Sequence, residues 1–173
     1  MKHLKYLPAT IALFLAATSA IAAPDMQKTG AQKSFDAVKS LQGNWEGTDS
    51  DGRPVNVSFT STANNSAVLS EIRSDKHGMD MMVTMFHMDG PDRLLMTHYC
   101  SAGNQPRMAA TASADGKTIA FEYQDATNLV PADAGHMQRL VITITDDGHH
   151  IEEWHFVDHG KEIVQRFDLA RKS

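Results

Sequence analysis

Cysteine is almost missing from this chain: Cys100 is the single one in 173 residues. No disulfide can form within the chain, so the fold must be held by its core. Charge of one sign is not concentrated. The formal net charge is −5, with 16 Lys and Arg spread among 21 Asp and Glu. A mildly acidic chain without basic runs excludes the electrostatic footprint of a nucleic-acid binder. It also disfavours anionic membrane surfaces. Standard catalytic and nucleotide-binding signatures are missing too. There is no G-x-G-x-x-G, P-loop, C-x-x-C or H-E-x-x-H pattern, and no G-x-S-x-G elbow. Long apolar runs are absent after residue 22.

The one long apolar run stands at the N-terminus. A short basic region, Met1 to Lys5, precedes an Ala-, Leu- and Ile-rich stretch from Leu7 to Ala22. It ends in Ala20-Ile21-Ala22 before Ala23-Pro24, a small-x-small cleavage pattern, so residues 1–22 are expected to be a signal peptide. The run is short for a membrane span, and no membrane insertion is expected after its removal. The expected location is the periplasm or outside the cell. In such an oxidising compartment a lone thiol is safest buried.

Beyond the signal, residues 23–34 are expected as a flexible leader and 35–173 as one domain. Phe35, Val38 and Leu41 recur at helical spacing and predict one short helix over Ala31–Leu41. The rest reads as strands. Val55, Val57 and Phe59 alternate with polar residues, as do Ile119, Phe121 and Tyr123. Leu140, Ile142 and Ile144 share a face, and so do Ile163, Gln165, Phe167 and Leu169. Turn signals punctuate these segments: Asp51-Gly52, Asn64-Asn65, His77-Gly78, Gly90-Pro91, Gly103-Asn104, Asp115-Gly116, Asp147-Gly148 and His159-Gly160. The longest connection, Asp125 to Gly135, is expected to lie over one end. The predicted class is all-β: an up-and-down antiparallel barrel of about ten strands after one short helix, because closure removes exposed edges.

Four clusters could carry chemistry. In His98-Tyr99-Cys100, strand alternation puts His98 and Cys100 on one face with Leu94 and Met96, and Tyr99 on the other. A His beside a thiol suits an activated nucleophile, a pair of soft metal ligands, or a sheltered thiol in the core. His77, Met79, Met81, Met82, Met85, His87 and Met88 offer copper-type ligands. Alternation splits them between two faces, which favours core or cavity lining. His149, Glu153 and His155 share a face opposite Trp154 and Phe156, which should point inward. Finally, Asp125, Thr127, Asn128 and His136 flank the long loop and could orient a ligand at a barrel mouth.

Two segments carry a resemblance. Leu41-Gln42-Gly43-Asn44-Trp45-Glu46-Gly47, a short helix followed by G-x-W, resembles the start of calycin barrels: lipocalins, fatty-acid-binding proteins and nitrobindin-like proteins. The resemblance implies that Trp45 closes one barrel end under an Arg near the last strand, with Arg171 the first candidate and Arg166 the second. The stretches MVTMFHMDGPDRLLMTHYCSAGNQPRM and FEYQDATNL…DAGHM are similar to uncharacterised exported bacterial proteins of this lipocalin-like type. That similarity implies that His98, Tyr99, Cys100, Asn104, Pro106 and Met108 belong to a shared motif. Haem-binding nitrobindin-like barrels use an axial His late in the chain. Only His155 or His159 falls in that region, and neither lies in a matched segment.

The reading is an exported binding barrel for a small, largely apolar molecule, with no resident cofactor or metal and no nucleic-acid partner. His98, Tyr99, Cys100, Asn104, Arg107, Met108, His136 and Trp154 are the expected ligand-contacting residues. Leu94, Met96 and Phe121 are expected to add apolar lining. The competing readings are an enzyme using His98 and Cys100, a copper or haem protein, and a structural or interaction protein without a ligand.

Overall fold

The computed structural model describes residues 27–74, 81–112 and 116–172. The expected signal segment lies outside these, as do His77 and Met79. One helix, α1 (Gly30–Ser40), precedes ten strands: β1 (Gly43–Thr48), β2 (Pro54–Thr62), β3 (Ala67–Ser74), β4 (Met82–Met88), β5 (Leu94–Tyr99), β6 (Gln105–Ala112), β7 (Thr118–Thr127), β8 (His136–Asp146), β9 (His149–Asp158) and β10 (Lys161–Arg171). Each strand pairs antiparallel with its neighbours in sequence, and β1 pairs with β10 to close the barrel. No helix among the described residues is long and apolar enough to cross a membrane.

The alternation seen in the sequence is what forces this shape. Val55, Val57 and Phe59 of β2, Ile119 and Phe121 of β7, Leu140 and Ile142 of β8, and Phe167 and Leu169 of β10 are all buried. Each sheet face thus has one wet and one dry side, and closing the sheet gives the dry side a single shared interior. Closure depends on Gly47 at the β1–β10 seam, opposite Leu169. A Cβ there would stand 1.8 Å from the Asp168 carbonyl oxygen.

α1 begins earlier than the spacing of its apolar residues suggested. Thr29 caps it: its hydroxyl accepts from the Gln32 amide at 3.2 Å, while the Gln32 side chain accepts from the Thr29 amide at 2.9 Å. The difference is one residue: the spacing predicts a start at Ala31, and the helix starts at Gly30. Phe35, Val38 and Leu41 bury the inner face of this segment against the core. The long connection is shorter than expected, spanning 128–135, because β7 continues through Asp125 to Thr127. A register shift after Arg107 lets Gln105 pair with Thr127 and Arg107 with Asp125.

Candidate functional site

The two barrel ends differ. At one end α1 lies across the opening and Trp45 plugs it. The Trp45 indole N–H donates to the Leu41 carbonyl at 2.7 Å, and the Arg171 guanidinium stacks 4.2 Å from the ring centroid. Arg171 also donates to the carbonyls of Ser40, Gln42 and Asp147. The Trp45–Arg171 closure inferred from G-x-W is thus present, and Arg166 instead pairs outside with Glu153. The opposite end carries the connections 49–53, 100–104, 128–135 and 159–160. Met81, Tyr99, Val130, Ile163 and Val164, the large hydrophobic side chains exposed among the described residues, all lie toward this end.

Inward residues of β9 measure the depth between the ends: His150 beside Trp45, then Glu152, Trp154 and Phe156. Their neighbours on β10 are Leu169, Phe167, Gln165 and Ile163. The closed half is packed solid. Phe59, Phe86, Phe121, Leu94, Met96 and Met108 are fully or almost fully buried there. Leu94, Met96 and Phe121, expected as lining, and Met108, expected to contact the ligand, all pack here, beside rings such as Phe86 and Phe121, 5.3 Å apart.

Toward the open end there is space. A cavity of about 300 Å³ is bounded by Met82, Met137, Trp154, Phe156, Ile163 and Phe167. Cys100, Ser101, Ala102 and Gln165 complete its wall. Of the eight residues expected to contact a ligand, Trp154 and Cys100 line it. Tyr99 points outward and is 51% exposed. Arg107 is also outside, held by Asp125 through two bonds of 2.5 and 2.6 Å. Asn104 is buried and ties the 100–104 turn to the long connection, donating to the Gly135 carbonyl at 2.8 Å. His136 lies against Tyr123 and bonds to the Ala134 carbonyl and Gln138. These residues organise the mouth without entering the cavity wall.

His98 sits one layer below the cavity, fully buried, opposite Thr84 in the strand register. Its Nδ1 pairs with the Thr84 hydroxyl at 2.8 Å, its ring lies 4.7 Å from Trp154, and its Nε2 has no partner. Loss of solvent pushes its pKa down to about 3, so the ring is neutral at pH 7. Burial also raises the Cys100 pKa, only partly offset by hydrogen bonds from Ser101 and Ala102. His98 makes no hydrogen bond to Cys100. The arrangement therefore supplies a protonated thiol beside a poor base, the reverse of an activated nucleophile. Among the described residues no three His, Cys, Asp or Glu side chains converge to hold a metal.

Deeper still lies a polar pair that the sequence reading passed over. Glu152 accepts from the Trp154 indole at 2.8 Å through Oε2, and its Oε1 lies 3.1 Å from His150 Nε2. Both residues are at most 1% exposed. The signal was available, because His150 and Glu152 share strand parity with Trp154, which was expected to point inward. His149, on the other parity, is exposed and bonds to Asp146.

No family model matches the chain, and comparison with curated protein sequences finds no match. Among solved structures, the barrel is similar to Rv2717c from M. tuberculosis, with a TM-score of 0.57 and 18% identity over 81% of this chain and 98% of that one. At that identity the likeness concerns the fold. A redesigned β-barrel matches more loosely, with a TM-score of 0.38 and 10% identity over 79% of this chain and 96% of that one.

Proposed function

We propose that this protein is an exported, calycin-like barrel that binds a small, largely apolar molecule in the cavity at its open end. The observation that carries this reading is the cavity itself. A well-packed barrel of this size has few voids larger than a water, yet about 300 Å³ is left among Met, Trp, Phe and Ile side chains. That is at the small end of ligand sites and holds about ten water volumes. Unfilled apolar space costs stability, and an apolar occupant recovers it. The exposed apolar side chains at the same end give such a molecule a path in. Trp45 under Arg171 supports the calycin-like type, and the N-terminal signal pattern supports export.

The test uses N-phenyl-1-naphthylamine, a neutral dye that brightens in apolar surroundings. Ala102 lies on an exposed turn and borders the cavity, so Ala102→Trp blocks the mouth without touching the core. The wild-type protein is expected to brighten the dye saturably, and Ala102→Trp to weaken binding at least tenfold. Equal binding by both, or none by the wild type, would overturn the proposal.

A further inference from the structure

One wall of the cavity leans on a glycine. Phe156 stands in that wall, near the end of β9 and opposite Met137 in the β8–β9 register. Its ring also meets Gly135, the last residue of the 128–135 connection. A Cβ on residue 135 would stand 2.5 Å from Phe156 Cζ and 2.9 Å from Cε1. Its third neighbour, Asp158 Oδ1, is 3.1 Å away on a half-exposed side chain. The φ of Gly135 is not positive, so its backbone conformation does not call for glycine. The close approach of the Phe156 ring does. The connection is also held where it is. Buried Asn104 donates to the Gly135 carbonyl at 2.8 Å, and the next residue, His136, pairs with Val157 and rests its ring 4.8 Å from Tyr123. A methyl group at 135 is therefore met by movement of the ring, which must retreat about 1 Å to reach an ordinary carbon–carbon contact of about 3.5 Å. The space that adjoins the ring is the cavity.

We infer that Gly135 sets the size of ligand this cavity admits, because its missing side chain lets the Phe156 ring stand back from the space. The inference rests on the cavity reading above and adds a size limit to it. Gly135 touches no ligand. It is a positioning residue that acts through Phe156, and the Asn104 bond to its carbonyl keeps the connection from yielding in place of the ring.

Four proteins test this: wild type, Gly135→Ala, Phe156→Leu and the double variant, each titrated with N-phenyl-1-naphthylamine and checked for folding by circular dichroism. One methylene of misfit in an apolar pocket changes binding by about 10- to 200-fold, so Gly135→Ala is expected to bind the dye at least about tenfold more weakly than wild type. Naphthalene, a fragment of the dye, needs less room, and its competition against the dye should weaken by less than about threefold. In the Phe156→Leu background the same Gly135→Ala change should cost less than about threefold, because no ring is left to displace. Three binding results overturn the inference and leave the cavity proposal intact: an unchanged dye affinity in Gly135→Ala, equal losses for dye and naphthalene, or an equal loss of dye binding in the Phe156→Leu background. Failure of Gly135→Ala to fold would show that the ring has no room to yield, and overturns it too. No dye binding by the wild-type protein overturns the cavity proposal as well.

Discussion

Glu152 shows how much one interior residue holds in place. It is buried, with the Trp154 indole on one oxygen and His150 on the other. Glu152→Leu would leave two buried donors or acceptors unmet, at about 3–5 kcal/mol. Glu152→Gln keeps an acceptor for Trp154 and is expected to cost less than half as much, by urea unfolding midpoints. Equal losses would show that shape, not hydrogen bonding, is what Glu152 supplies. His98 gives a second expectation. Its pKa is near 6.5 when unfolded and about 3 when folded, so between those values the unfolded chain takes up a proton that the fold refuses. Stability therefore falls as pH drops through that window and loses nothing from this residue above it. At pH 4.5 the loss should approach about 2–3 kcal/mol. Comparing urea unfolding of wild type and His98→Gln from pH 7.5 to 4.5 checks this: the wild type should lose stability faster, and parallel curves would contradict it. Parity made the inward direction of both residues legible in sequence. Their bonding was not, because Thr84–His98 joins residues fourteen apart whose contact depends on strand register.

At the scale of elements, period-two patterning and turn residues carry most of the information. The turn signals among the described residues fall in connections between consecutive strands, and inward positions such as Val57, Phe121 and Ile142 match the buried set. Element ends were harder to read. α1 starts at a capping box formed by Thr29 and Gln32, neither of which is apolar. β7 runs on past its alternating residues because the shifted register keeps Asp125 paired with Arg107. The seam between β1 and β10 joins the strands most distant in sequence and is closely packed at Gly47. Gly47→Ala would force a methyl group into the Asp168 carbonyl, so it is expected to cost more than about 3 kcal/mol. Gly30→Ala, with nothing within 4 Å of the new atom, serves as the control and should be neutral or mildly stabilising. Similar thermal midpoints for the two variants would mean that the seam is not as tight as described.

For the whole molecule, the division into a packed half and a hollow half matters most. One end is shut by α1, Trp45 and Arg171, and the interior stays filled past Phe86 and Phe121. Beyond Trp154 a cavity opens. A barrel with an apolar interior was legible in the sequence, and so was its plug at Trp45. The location of the hollow was not, because a cavity is the volume left after every side chain has packed. That explains why Leu94, Met96 and Phe121 pack the core while Ile163, Gln165 and Phe167 line the space. Tyr99, next to the cavity residue Cys100 in sequence, lies outside because strand alternation turns it to the other face. The most direct test of a ligand-binding barrel is a crystal structure of the protein soaked in 1-decanol. The expected result is one alcohol chain between Met137, Trp154 and Phe167. An open end collapsed shut by its own side chains, or the alcohol bound only elsewhere, would contradict it.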